Sequence, residues 1–283
     1  MEDVRGTMLA GLQHTSLAPL LDEISPSFIG GKMLRARLTH AVGAACGTDR
    51  DTLLHAGAAV EMVHAASLLH DDVIDEAMLR RGSTTFWKKK GVSGAILLGD
   101  LLVCQSLQLL HGIDDGRLGM MLVRLAGEMC DAEVEQELVT REAPKDWNQS
   151  VSIARRKTGS LFAFAATAAD GADEVRSAAL LEAGYRIGTA YQLADDILDA
   201  CGMGVGDGKD LGKDARKGKN TAVSASGGSA APARQRIHDC CVSSAGLLAP
   251  WPSVQDAWNA YLQTDFSPVV KQFSGKQEWP PSP

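Results

Sequence analysis

What the chain lacks narrows its class first. Its six cysteines, Cys46, Cys104, Cys130, Cys201, Cys240 and Cys241, form no CxxC pair, and no histidine stands near them at zinc-finger spacing. The expectation is reduced thiols in a cytoplasmic protein. No uninterrupted run of about 20 apolar residues occurs, which argues against a membrane span and leaves peripheral membrane contact open. The start, Met1-Glu2-Asp3-Val4-Arg5, has no apolar stretch of the signal-peptide kind. Positive charge is in deficit: a net charge of −7 argues against nucleic acid as the main partner, although a local basic patch can still hold phosphates. Neither a period-two strand pattern nor a repeat of about 20–50 residues is evident.

What is present reads as helix. With 283 residues, 45% of them hydrophobic and 22% charged, the chain suffices for one large all-α domain with a sizeable core. Residues 1–24 read as one amphipathic helix that Ser25-Pro26 ends. Gly30-Gly31 then frees the backbone, and Lys32 and Arg35, one helical turn apart, offer two cations to an anion. From Asp51 to Glu76 the sequence is helix former, with Asp51 or Thr52 as cap and Glu61, His64, Ser67, His70 and Asp71 as a polar stripe on an apolar helix. Residues 83–93 read as a polar connection, and Asp100 sits among the leucines of the next helix, where it needs a partner. The acids Glu128, Asp131, Glu133, Glu135 and Glu137 read mostly as a solvated face. Residues 223–235, rich in Ala, Ser and Gly, carry weak structural pressure, and the prolines at 280–283 suggest a frayed end.

Two segments echo each other across more than a hundred residues: Leu68-Leu69-His70-Asp71-Asp72-Val73-Ile74-Asp75 and Gln192-Leu193-Ala194-Asp195-Asp196-Ile197-Leu198-Asp199. On a helix, residues four apart share a face, so Asp71 projects with Asp75 and Asp195 with Asp199. Clustered carboxylates are costly unless a cation neutralises them. Hard oxygen ligands suit Mg²⁺, which keeps several waters and bridges to substrate phosphates. Arg80-Arg81-Gly82 follows the first segment, and arginine suits bidentate phosphate recognition. After the second comes a glycine-rich strip with Lys209, Lys213, Arg216, Lys217 and Lys219, which reads as a lid over phosphates.

Taken in order, Gly-Lys-x-x-Arg (31–35), Glu-x-x-His (61–64), Asp-Asp-x-x-Asp (71–75), Arg-Arg-Gly (80–82), Lys-Thr-Gly (157–159), Tyr-Gln-x-x-Asp-Asp-x-x-Asp (191–199) and Gly-Lys-x-x-Gly-Lys-Asp (208–214) resemble the trans-isoprenyl diphosphate synthases of the polyprenyl synthetase family, the longer-chain ones in particular. The resemblance runs from about Gly30 to Lys219, and 220–283 departs from it, lacking the apolar helix expected after Asn220.

The resemblance implies a single all-α domain of the isoprenoid synthase fold over 1–283, with helices around a deep central cavity, as a homodimer. It implies a prenyltransferase that joins isopentenyl diphosphate to an allylic diphosphate. Asp71, Asp75 and Asp195, assisted by Asp72, Asp196 and Asp199, would hold up to three Mg²⁺ ions on the allylic diphosphate. Arg80, Lys157 and Lys209 would bind the same substrate, and Lys32, Arg35, His64 and Arg81 would bind isopentenyl diphosphate. Thr158 and Gln192 would face the reacting carbons, and Lys219 would belong to the closing strip.

Product length would depend on a floor beneath the first motif. The small Ala66 and Ser67, with Val63, Ala59 and Ala58 further down, suggest a product longer than farnesyl diphosphate. Two other readings compete. A terpene cyclase shares the first motif, but its second usually resembles Asn/Asp-Asp-x-x-Ser-x-x-x-Glu, and Lys32, Arg35 and His64 would be superfluous. A non-catalytic partner subunit would be expected to have eroded aspartate motifs.

Overall fold

The computed structural model describes residues 1–80, 82–113, 116–140, 143–171, 173–201 and 221–274; Arg81 and the strip with Lys209 and Lys219 lie outside them. Apart from a two-residue hairpin, Leu79–Arg80 with Ser83–Thr84, the described residues are helices and their connections, as the sequence pattern predicts.

The N-terminal stretch is two helices, α1 (Glu2–Leu12) and α2 (Leu21–Ile24), where one was expected. Thr15 turns the chain by donating its hydroxyl to the Leu12 carbonyl at 2.7 Å, and Pro19 sits in a short 3₁₀ turn, Ala18–Leu20. α3 (Leu34–Cys46) follows Met33, whose φ of 50° is left-handed, so no side chain precedes it as a cap. Glu61 of α4 (Arg50–Ile74) serves instead, accepting the Ala36 N–H at 3.1 Å. α4 is capped by Asp49, which accepts the Thr52 N–H at 2.9 Å, slightly earlier than the expected Asp51 or Thr52.

α5 (Phe86–Leu110) begins inside the stretch expected to be a polar connection and kinks at Gly91, whose φ of 78° suits glycine. α6 (Arg117–Val134) runs into a π-turn, Glu135–Val139. α7 (Trp147–Ala154) and α8 (Ser160–Thr167) are joined by another π-turn, Arg155–Gly159. α9 (Glu174–Cys201) carries the second acidic segment. α10 (Ala222–Ala225), α11 (Ala231–Gly246), α12 (Pro252–Tyr261) and α13 (Ser267–Ser274) complete the chain, with a π-turn, Leu262–Phe266, before α13.

Every residue of α8 is buried, and α3, α6 and α9 pack around it. The stretch after 220 is not loose. Ile237, Cys240, Cys241, Trp258, Tyr261 and Phe266 share one apolar cluster with α3, α8 and α9. The five cysteines whose side chains are described are all unpaired, as expected of reduced thiols. By length and composition alone, α4 and α5 are apolar enough to cross a membrane; the apolar window of α4 is 67% buried within the protein and that of α5 28%.

Candidate active site

The first acidic segment closes α4. Asp75 follows the last helical residue yet keeps helical angles, its N–H donating to the Asp71 carbonyl at 2.7 Å, so the two share a face as the spacing predicts. Glu76, at a φ of 50°, then turns the chain away. Asp71 and Asp75 are half-buried. Asp72, expected to assist the metal, is only 3% exposed and faces the protein. Arg80 reaches back to it, Nε donating to the two carboxylate oxygens at 2.9 and 3.0 Å and Nη2 lying 2.8 Å from Oδ1. That bidentate pair fixes the guanidinium at the mouth of the motif while leaving its side chain 26% exposed.

The second doublet repeats the arrangement. Asp195 and Asp199 are half-buried, whereas Asp196 is 7% exposed and accepts from Gln192 Nε2 at 2.9 Å and from the Ala222 N–H at 3.2 Å. In each doublet one aspartate braces the site from behind.

The π-turn Arg155–Gly159 connects the two segments. An extra residue in a helical turn re-aims the side chains around it, and such turns recur at functional sites. Lys157 forms an ion pair with Glu133 and donates to Gln136 Oε1 at 3.0 Å. Burial is the main cause that pushes the Asp71 carboxyl up to about 6; Glu133 and Asp75 add to the rise, and the cations Lys157 and Arg80 oppose it. The next residue, Thr158, turns the other way and donates its hydroxyl to Gln192 Oε1 at 2.6 Å. Two adjacent residues thus address both acidic segments.

Three glycines let the turn approach α9. A Cβ on Gly188 would stand 2.5 Å from the Gly159 Cα, and one on Gly184 2.5 Å from the Ala163 Cα. A Cβ on Gly159 would stand 2.9 Å from the Tyr185 carbonyl oxygen. Gly184, Gly188 and Gln192 are spaced by four, so one face of α9 is stripped to backbone before it presents Gln192 to Thr158.

Other expectations need correction. Lys32 and Arg35 do not share a helical face, because the left-handed Met33 separates them and α3 starts only at Leu34. Lys32 is exposed in the loop, its carbonyl accepting from Arg37 Nε at 2.9 Å. Arg35 is buried over the Phe162 ring, 4.7 Å from its centroid, near Glu61. Burial lowers its pKa, and its Nε has no hydrogen-bond partner. His64 is half-buried on α4, its carbonyl accepting from Ser67 Oγ at 2.9 Å.

The acids after Gly127 are not a solvated face. Glu133 pairs with Lys157, Glu135 with Arg156 and Gln149, and Glu128 accepts the Tyr185 hydroxyl. Asp131, which pairs with Arg156, keeps the expected exposure, at 75%. A run of acids together with the three consecutive cations Arg155-Arg156-Lys157 was the available signal. Asp100 finds a partner in His70, Nε2 to Oδ1 at 3.5 Å, and Gly99 leaves the room: its Cβ would lie 2.2 Å from that same nitrogen.

Among the described residues no three His, Cys, Asp or Glu side chains stand close enough to chelate a metal by themselves. Mg²⁺ takes few carboxylates and completes its shell with waters and substrate phosphate oxygens. The raised Asp71 carboxyl is a sign of fit, since a bound cation would relieve the crowding of acids there.

The model of the polyprenyl synthetase family matches residues 18–245. The chain belongs to that family. Its all-α architecture is the isoprenoid synthase fold, shared with solved members of the polyprenyl synthetase family. A decaprenyl diphosphate synthase from Rhodobacter capsulatus matches at 26% identity and a TM-score of 0.83, over 96% of each chain. A polyprenyl synthase from Caulobacter crescentus, complexed with calcium and isoprenyl diphosphate, matches at 28% identity and a TM-score of 0.71, over 96% of this chain and 92% of that one. By sequence, an octaprenyl diphosphate synthase from Haemophilus influenzae is 30% identical over 226 residues, 78% of this chain and 68% of that protein. Across other curated relatives the aligned share of their length falls as low as 57%, and their names run from farnesyl to heptaprenyl synthases.

Proposed function

We propose that the protein is a trans-prenyltransferase that joins isopentenyl diphosphate head to tail with an allylic diphosphate, giving a polyprenyl diphosphate longer than farnesyl. The observation that carries this reading is the pair Lys157 and Thr158, one beside the first acidic segment and the other bonded into the second.

Asp71, Asp75, Asp195 and Asp199 are the side chains suited to hold up to three Mg²⁺ ions against the substrate diphosphate, and bound Mg²⁺ would draw charge from the leaving group. Arg80, held by Asp72, and Lys157, held by Glu133 and Gln136, supply fixed positive charge beside it. The allylic carbon–oxygen bond breaks, diphosphate takes the electron pair, and the isopentenyl double bond attacks the allylic cation. A proton then leaves, with released diphosphate as base. Thr158 and Gln192, kept in place by Asp196, are placed to flank the reacting carbons in this proposal. His64, Arg35 and Lys32, with Arg81, Lys209 and Lys219 outside the described residues, are proposed as the remaining diphosphate contacts.

For product length the face of α4 below Asp71 matters. Ser67, one helical turn before Asp71, is half-buried, and Val63, Val60 and Ala59 continue that face into a cluster with Leu122, Leu125 and Phe164. Ala66 and Ala58 belong to a different cluster, with Met62 and Leu98, so a ring at Ser67 is the change proposed to block growth of the chain along this face. Two further proposals have physical support. Exposed Ile96 and Leu97 on α5 and Met120 and Val123 on α6 give an apolar face that a second copy would cover in a homodimer. The unpaired cysteines fit a reducing cytoplasm.

Incubation with Mg²⁺, isopentenyl diphosphate and farnesyl diphosphate, followed by reversed-phase chromatography of the products, tests the reading. Elongated products are expected; a cyclised hydrocarbon, or no turnover, would reject it. Ser67→Phe is expected to shorten the product distribution, and an unchanged distribution would reject the floor.

A further inference from the structure

Between α7, α9 and α11 lies a cavity of about 340 Å³ that contains none of the residues assigned above to metal, substrate or reacting carbons. Three guanidiniums line it, Arg155, Arg186 and Arg236, against two carboxylates, Glu182 and Asp239. Glu182 is divided between Arg155 at 2.6 Å and Arg186 at 3.0 Å. The Tyr185 ring holds the Arg155 guanidinium from another side, 4.1 Å from its centroid. Asp239 accepts from Gln235 Nε2 at 2.9 Å and has His238 Nδ1 at 3.5 Å. Arg236 forms no ion pair with the described residues. The lining therefore holds one positive charge in excess, on arginines two of which are already fixed in place.

We infer that this cavity is a binding site for a small phosphate-class oxyanion, of the size of inorganic phosphate or diphosphate. A tetrahedral anion presents several oxygens in different directions and can engage three separate guanidinium forks, whereas the planar carboxylate of Glu182 engages two. The volume is at the low end for a small-molecule site, enough for such an anion with water. The Thr189 hydroxyl donates to the Tyr185 carbonyl and the Ser243 hydroxyl to the Asp239 carbonyl, so recognition falls to the arginines. An anion here competes with Glu182 for Arg155, the first residue of the π-turn that carries Lys157 and Thr158.

The test is calorimetric titration of the full chain with inorganic phosphate and, separately, inorganic diphosphate, in EDTA so that no divalent cation recruits anions to the aspartates. One saturable site per chain is expected, and the stronger of the two titrants identifies the ligand's size. Arg236→Gln, at an exposed position without an ion pair among the described residues, is expected to weaken binding by about fivefold or more without a change in Tm. Lys89→Gln, at an exposed site on α5, and Arg80→Gln, which removes a cation of the catalytic cleft, are expected to bind as the wild type does. No saturation by about 10 mM, equal affinity in Arg236→Gln, or loss of binding in Arg80→Gln would overturn the proposal, the last by moving the anion into the catalytic cleft.

Discussion

Asp71 is a carboxylate held where its own charge is unwelcome. Its folded pKa of about 6 lies above the ordinary carboxylate value of roughly 3.9, so between those limits the folded state binds the extra proton and this group favours folding as pH falls. Above about 6 the ionised form works against the fold. In EDTA at pH 7, Asp71→Asn is therefore expected to stabilise the protein by about 1–2 kcal/mol, after allowance for partial solvent screening. The gain should vanish near pH 4, and thermal melts at the two pH values check it. Turnover with Mg²⁺ is expected to fall by at least about a hundredfold in the same variant. A stabilising change that silences activity is what a strained functional position predicts, and a melt unmoved at pH 7 would contradict it.

Residue by residue, the acidic doublets were legible because helical spacing alone puts Asp71 with Asp75 and Asp195 with Asp199. Spacing does not reveal which way the middle aspartate turns. Asp72 and Asp196 face protein because Arg80, 8 residues on, and the Ala222 N–H, 26 residues on, come to meet them. Arg35 was legible as a cation but not in its surroundings, because tertiary packing buries it over Phe162.

On the scale of elements, the meeting of the π-turn with α9 is set by glycine. Gly188→Ala would force a methyl group within 2.5 Å of the Gly159 Cα, a backbone atom that cannot swing aside. A loss of about 2–4 kcal/mol is expected, read by denaturant unfolding, with kcat falling more than KM rises because Thr158 loses its register on Gln192. Unchanged stability would mean the helices separate freely. Sequence periodicity recognises helices but not a π-turn, since one added residue looks the same as a drifting pattern. Lys157-Thr158-Gly159 thus carried a weak signal until its neighbours were placed. The N-terminal break and the early cap at Asp49 escaped for a similar local reason, a single hydroxyl or carboxylate bonding to the backbone.

Across the whole molecule, the stretch after 220 was the least legible part, because small residues in α10 and α11 say little until the aromatic side chains of α12 arrive. Trp258 is fully buried and its indole donates to Ser244 Oγ at 3.1 Å, while the Tyr261 hydroxyl donates to the Leu34 carbonyl at 3.1 Å. Trp258→Ala is expected to cost about 3–5 kcal/mol and to lower Tm with a single transition. Two separate transitions would show instead that the C-terminal helices melt on their own. The apolar face of α5 and α6 yields a second expectation: Leu97→Glu with Met120→Glu should convert a dimer to a monomer in sedimentation velocity, and an unaltered particle mass would place any interface elsewhere.

Consecutive residues reaching opposite walls have a geometric result. The Cα atoms of Lys157 and Thr158 are separated by a single peptide unit of about 3.8 Å, and bare glycine backbone presses that unit against its neighbour. The seat of Thr158 on the second acidic segment is consequently pinned, and it cannot shift without prising two backbones apart. A sequence can drift around such a seam, but the glycines that make it must travel together.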